Sequence, residues 1–248
     1  MKTKKTERRT GKEEPVQQRK DQPDDFSEKV GKETHPGKNT NGITELVFLL
    51  DASGSMYPLA GDTVGGFNSL IEEQRRNYGE GSAFVTTVLF NSSINVLHDR
   101  VPLAEIEPMK EDDYRPSGCT SLTDALGCTV SHIRRIHQYI RPEDVPEKTI
   151  FIITTDGMEN ASRFYSADEV RNLLKTARDK NGWEFVFLGA NIDAVETAEY
   201  YGIDRSRAAQ YVNDSSGTAE IFRAAARAID AVKSSLPLEE ALWNAPLK

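Results

Sequence analysis

Leu46-Val47-Phe48-Leu49-Leu50-Asp51-Ala52-Ser53-Gly54-Ser55-Met56 decides the fold. Its first five residues are a continuous apolar run without polar alternation. That is the pattern of a strand covered on both faces, as in a parallel sheet between two helix layers. The run stops at an aspartate, and small hydroxyl and glycine residues follow. A buried strand ending this way delivers polar chemistry to one edge of a sheet.

Working outward, strand-like and helix-like segments alternate from Ile43 onward. A helix is expected over 62–77, where Val64, Phe67, Leu70 and Ile71 recur at helical spacing. Gly65-Gly66 lowers helix propensity there, and close packing against the sheet is the expected reason. Strands over 84–90 and 94–101 flank Asn91-Ser92-Ser93, which is turn chemistry, so this pair reads as a hairpin with one antiparallel strand. A long helix over 121–140 leads to the apolar strand 149–155. Ser166 with Glu169 three residues on forms a capping box that opens a helix over 166–179. Strands over 183–188 and 208–212 enclose a short helix over 194–201, and an Ala-rich amphipathic helix over 218–232 closes the pattern. The fold class is α/β: an open, doubly wound, mostly parallel sheet with one antiparallel strand and helices on both faces. Ligands of such sheets bind beyond the carboxyl ends of the strands, where strand order reverses.

Three parts follow. Residues 1–42 are poor in apolar groups and rich in Lys, Glu, Gln, Gly and Pro, so this segment is expected to be disordered. Residues 43–235 form the domain, and 236–248 read as a loosely held tail. The 248 residues carry 31 Lys and Arg against 39 Asp and Glu, a net charge of −8, which argues against nucleic acid as a partner of the whole chain. No apolar h-region follows the basic start and no run approaches the ~18–20 apolar residues of a membrane span. The expectation is therefore a cytoplasmic protein with no membrane partner. The two cysteines, Cys119 and Cys128, have no metal-ligand spacing and require no oxidising compartment. Cys128 falls in a helical pattern and is expected to be a small buried apolar residue.

Three loops fall at the predicted carboxyl edge: Asp51-Ala52-Ser53-Gly54-Ser55-Met56, Gly118-Cys119-Thr120-Ser121 and Thr155-Asp156-Gly157-Met158-Glu159-Asn160. Their carboxylate and hydroxyl oxygens suit a hard cation, Mg2+ or Mn2+, and no convergent His or Cys set suits zinc. Alternation in D-x-S-x-S projects Asp51, Ser53 and Ser55 to one side. The competing reading is that Asp and Ser here form turns and helix caps, as is common after a strand. Three such loops in order favour the metal site. Asp62 is expected as a helix cap, Asp124 as a helix-face residue near the site, and Glu159 as a solvated helix-start residue or an internal carboxylate competing for the metal. Met56, Tyr57 and Met158 either form an apolar collar for a partner or pack locally. His98, His132 and His137 read as surface or packing residues.

The combination resembles the von Willebrand factor type A family. The match is residue by residue to that family's metal-ion-dependent adhesion site: Asp51, Ser53 and Ser55, then Thr120, then Asp156 in an Asp-Gly step, over about residues 42–232. The resemblance implies that Ser53, Ser55 and Thr120 bind metal directly, and that Asp51 and Asp156 do so directly or through water. It implies a non-enzymatic module that takes an Asp or Glu from a protein partner as the final metal ligand. Intracellular members commonly act as adaptors in multiprotein assemblies, including ones around ring-forming ATPases. The sequence departs from the family where Cys119 replaces a frequent Gly, and Pro58 and Leu59 stand where some members carry acidic residues for a second metal. Two rivals remain. A Mg2+-dependent phosphohydrolase would use Asp51 as nucleophile, but Ser53 replaces the acid/base carboxylate two residues on. A surface adhesin is the other, against which the missing signal and anchor count.

Overall fold

A computed structural model describes residues 41–79, 81–239 and 241–247, so the expected disorder of 1–42 lies almost wholly outside the described residues. Six strands form one sheet: β1 (Thr44–Asp51), β2 (Ala83–Phe90), β3 (Ile94–Pro102), β4 (Lys148–Thr155), β5 (Glu184–Ala190) and β6 (Ala208–Tyr211). Their spatial order is β3-β2-β1-β4-β5-β6. Among the described residues only the β2–β3 hairpin is antiparallel, and its register slips between Val85 and Val88. β1 pairs in parallel with β2 on one side and β4 on the other. The chain thus builds outward from β1 to β3, returns, and builds the other way from β4. The reversal puts the switch point between the carboxyl ends of β1 and β4.

The helices are α1 (Ala60–Asn77), α2 (Leu122–Tyr139), α3 (Ala167–Asn181), α4 (Ala194–Tyr200) and α5 (Ser215–Lys233). β1 alternates between two cores although every residue in it is buried. Leu46, Phe48 and Leu50 face a layer made by α1 and α5, whereas Val47 and Leu49 face α2, α3 and α4. This explains the unbroken apolar run: both faces of the strand are interior. The capping box forms at α3 as expected, with Ser166 and Glu169 bonded reciprocally and Gly182 closing the helix at φ 68°.

Two expectations are corrected. The close approach at Gly66 is to α5 and not to the sheet. A Cβ there would stand 2.2 Å from Phe222 Cδ2, while one at Gly65 would meet nothing within 4 Å. The segment after Leu236 is also not loose. Leu238 and Trp243 are buried in the α1–α5 core. Trp243 Nε1 donates to the Ser206 carbonyl at 3.2 Å, and Arg227 Nε donates to the Trp243 carbonyl at 2.9 Å. Burial of an indole with its N–H satisfied outweighs the polar and proline content of the segment. Smaller details differ as well. Asp62 lies inside the first turn of α1 and accepts from Ser215 Oγ at 2.7 Å. Cys128 is half-buried.

Candidate metal centre

Asp51 is the last residue of β1 and is fully buried. Its Oδ1 accepts from the Ser53 N–H at 2.7 Å and its Oδ2 from Thr155 Oγ1 at 2.5 Å. The first bond is an aspartate turn, so the turn-forming reading of Asp51 holds in part. It does not extend to the serines. Ser53 occupies the N-cap position of the short helical turn Gly54–Leu59, yet its side chain makes no cap bond. Its Oγ lies instead 3.1 Å from Ser55 Oγ, which donates to Asp156 Oδ1 at 2.6 Å.

Asp156 follows β4 and is also buried. Thr120 arrives from a third loop, held by its N–H to Asn160 Oδ1 at 2.9 Å and by the Asn160 N–H to its carbonyl at 3.0 Å. Gly157 is the point where the loops converge: a Cβ there would stand 3.1 Å from Thr120 Oγ1 and 3.8 Å from Ser55 Oγ. All five sequence-derived residues, Asp51, Ser53, Ser55, Thr120 and Asp156, therefore come to one place at the switch point. The loops are stitched by backbone bonds, Gly54 N–H to Gly118 O at 3.0 Å and Ser117 N–H to Ala52 O at 2.8 Å.

The electrostatics suit a cation. Burial pushes the Asp51 carboxyl above its usual range, against the hydrogen bonds from Thr155 and Ser53, and the charge on Asp156 pushes it further. Two neighbouring buried carboxylates without a counter-charge are costly. Among the described residues no Lys, Arg or His forms an ion pair with either one. No cluster of three or more His, Cys, Asp or Glu forms among them either, so the donors are two carboxylates and three hydroxyls. Such an oxygen set fits a hard divalent cation. Ser53, Ser55 and Thr120 would hold it through neutral oxygens, with Asp51 and Asp156 supplying the charge, and the bound ion would supply an attraction for an incoming anion.

Several supporting residues escaped the sequence reading. Thr155 fixes Asp51, and its only signal was its place before Asp156. Tyr114, buried in the loop before α2, donates its hydroxyl to the Asp51 carbonyl. Burial drives the phenols of Tyr114 and Tyr211 well above their ordinary values, and the two carboxylates add to it. Glu159 is half-buried and its carboxylate is engaged by the protein: it accepts from the N–H groups of Thr123, Ala161 and Ser162 and from Ser162 Oγ. Asp124 is buried and takes the N–H groups of Arg163, Phe164 and Tyr165. Both carboxylates hold the loop after β4 against α2. Cys119 is exposed. Met56 belongs to the core at 2% exposure, whereas Tyr57 and Met158 stand out at 74% and 75%. Phe164 and Val212 are exposed on neighbouring loops of the same edge.

An open, doubly wound α/β sheet with oxygen donors from three loops at its switch point defines the class. The particular fold is that of a von Willebrand factor type A domain. The vWF domain of the type V pili tip protein Mfa5 from Porphyromonas gingivalis superposes with a TM-score of 0.56 at 10% identity, covering 76% of this chain and 95% of that one. Proximal thread matrix protein 1 from the mussel byssus gives 0.52 at 18% identity over 78% of this chain. A structure of that same protein, with a zinc-occupied MIDAS motif, gives 0.53 at 16% identity. The chain spans 46% of the mussel protein's length. At these identities the likeness is one of fold. No family model matches the sequence, and no curated protein matches it. No helix among the described residues is long and apolar enough to cross a membrane.

Proposed function

We propose that this domain binds one Mg2+ or Mn2+ through Ser53, Ser55, Thr120, Asp51 and Asp156 and uses it to capture a carboxylate of a protein partner. The observation that carries the reading is the pair of neighbouring buried carboxylates without a cationic partner, with three hydroxyls brought to the same loops. Neutral hydroxyl ligands leave a divalent ion under-neutralised, so an Asp or Glu from another molecule completes its shell. The mussel protein with a metal-occupied motif supports the choice of site. The partner assembly is intracellular in this reading, and an adaptor role around a ring-forming ATPase is one form of it.

A non-enzymatic role is favoured over phosphoryl transfer. Both Asp51 oxygens are taken by Ser53 and Thr155, and the residue is fully buried, which suits neither an in-line nucleophile nor a leaving-group acid. Calorimetric titration with Mg2+ and Mn2+ tests the metal. Thr120→Ala removes an expected direct ligand with little core volume, and Asp156→Ala removes charge while relieving repulsion on Asp51. Both variants are expected to lose metal binding with the fold retained. Undiminished titration by both would refute the assignment. A pull-down with metal and with chelator then recovers the partner, whose acidic residues are changed singly to amides. Binding that ignores the chelator would place the partner elsewhere, and cell fractionation distinguishes an intracellular assembly from a surface adhesin.

A further inference from the structure

Asn213 lies in the loop between β6 and α5, a fourth loop that contributes none of the five residues above. Its Nδ2 donates to Asp156 Oδ2 at 3.3 Å, while Ser55 occupies Asp156 Oδ1 at 2.6 Å. Both oxygens of Asp156 are therefore engaged by protein donors. A carboxylate with both oxygens engaged is suited to act on a cation through water, which a small hard cation retains. The other end of the Asn213 amide is unspent: its Oδ1 is buried and finds no partner. The hydroxyl of Tyr211, two residues earlier, is buried beside the same carboxylates and also finds none. Buried polar atoms without partners are rare and call for a ligand or water.

We propose that Asn213 is a positioning residue of the metal centre: its amide N–H sets the Asp156 carboxylate, and its amide oxygen accepts a hydrogen bond from a water on the cation. This rests on the metal-binding reading above. A cation-bound water is a strong donor and needs acceptors around the ion, and partners of this kind govern affinity almost as much as the ligands do. A carboxamide is the side chain that meets both demands, because it donates from one end and accepts at the other.

The neighbours of Asn213 anchor the loop without it. Asp214 caps α5 by accepting the Gly217 N–H at 2.7 Å, and Ser215 Oγ ties the helix start to Asp62 of α1 at 2.7 Å. The loop path therefore does not depend on the Asn213 side chain, and the two effects separate by mutation.

Mn2+ affinity and the metal-free thermal midpoint are measured for the whole chain, for Asn213→Ala, for Asn213→Gln and for Asp214→Ala. Asn213→Ala is expected to lose ~10–100-fold in Mn2+ affinity with an unchanged metal-free midpoint. Asn213→Gln, which keeps the amide, is expected to recover part of that loss. Asp214→Ala is expected to lower the midpoint by loss of the cap and to keep the Mn2+ affinity. Unchanged affinity in Asn213→Ala, no recovery in the Gln variant, or an equal affinity loss in Asp214→Ala would each overturn the role of the amide. If the unaltered chain binds no Mn2+, the metal reading itself falls and this inference with it. Binding by the unaltered chain with no effect of Asn213→Ala removes this inference alone.

Discussion

Glu159 stands three residues beyond Asp156, and its carboxylate is consumed by backbone. It receives the Thr123 N–H at 2.7 Å, the Ala161 N–H at 2.9 Å and the Ser162 N–H at 2.8 Å. Thr123 lies in the first turn of α2, so one side chain caps that helix and folds the loop after β4 onto it. Burial opposes the ionised form, but these donors outweigh it and hold the carboxyl below its ordinary 4.5. Glu159→Ala strands the three amides, and bonds to a charged acceptor are worth about 1.5–3 kcal/mol. The expected loss in denaturant unfolding is of that order. The sign with pH follows from the lowered value. The contribution is fully present above the unfolded value of 4.5 and fades as pH falls through the lower folded value. The stability gap between the original chain and the variant should therefore narrow in acid, and a gap that widens would contradict this account. The local order of Thr155 to Asn160 was readable in the sequence, but the role of Glu159 was not. Its partner Thr123 is 36 positions away, and only the folded loop brings the two together.

The α1–α5 contact shows what a helix pattern reveals and what it hides. Periodicity located both helices, and Val64, Phe67, Leu70 and Ile71 on one and Ile221, Ala225 and Ile229 on the other lie on their buried faces. Apolar runs likewise located β1 and β4, since strands interior on both faces need no alternation. The partner of Gly66 was not readable, because a glycine names no neighbour. Phe222 fills that space, and adjacent glycines should respond oppositely. Gly66→Ala forces a methyl to 2.2 Å from a buried ring, an overpacking that costs about 1–3 kcal/mol. Gly65→Ala meets nothing within 4 Å and is expected to stabilise by up to ~1 kcal/mol through helix propensity. Equal effects of the two substitutions in denaturant titrations would mean that the helices do not meet as described. The metal-edge loops were legible for a different reason: D-x-S-x-S and Asp-Gly are compact local patterns. Tyr114 and Asn213 support them from 63 and 57 residues away, beyond any local pattern.

For the molecule as a whole, the last described segment completes the α1–α5 core. Leu238 and Trp243 sit five positions apart among polar and proline residues, so no period announced them. Trp243 is 1% exposed, and truncation of such a residue costs about 3–5 kcal/mol. Trp243→Ala is expected to lower the thermal midpoint markedly while leaving the distant metal edge able to bind Mn2+. Loss of metal affinity in that variant at a temperature where it remains folded would contradict this separation. The same segment lies against β6, one border of the sheet, where Glu239 pairs with Arg207. The opposite border is β3, whose register slip against β2, Arg100 at φ 52° and the exposed Asp99 disturb its outer rim. Neither side offers a long, flat, apolar ribbon of free amides to a passing chain. The protein can thus carry the exposed Tyr57 and Met158 at one end of its strands without inviting copies of itself to zip on at the flanks.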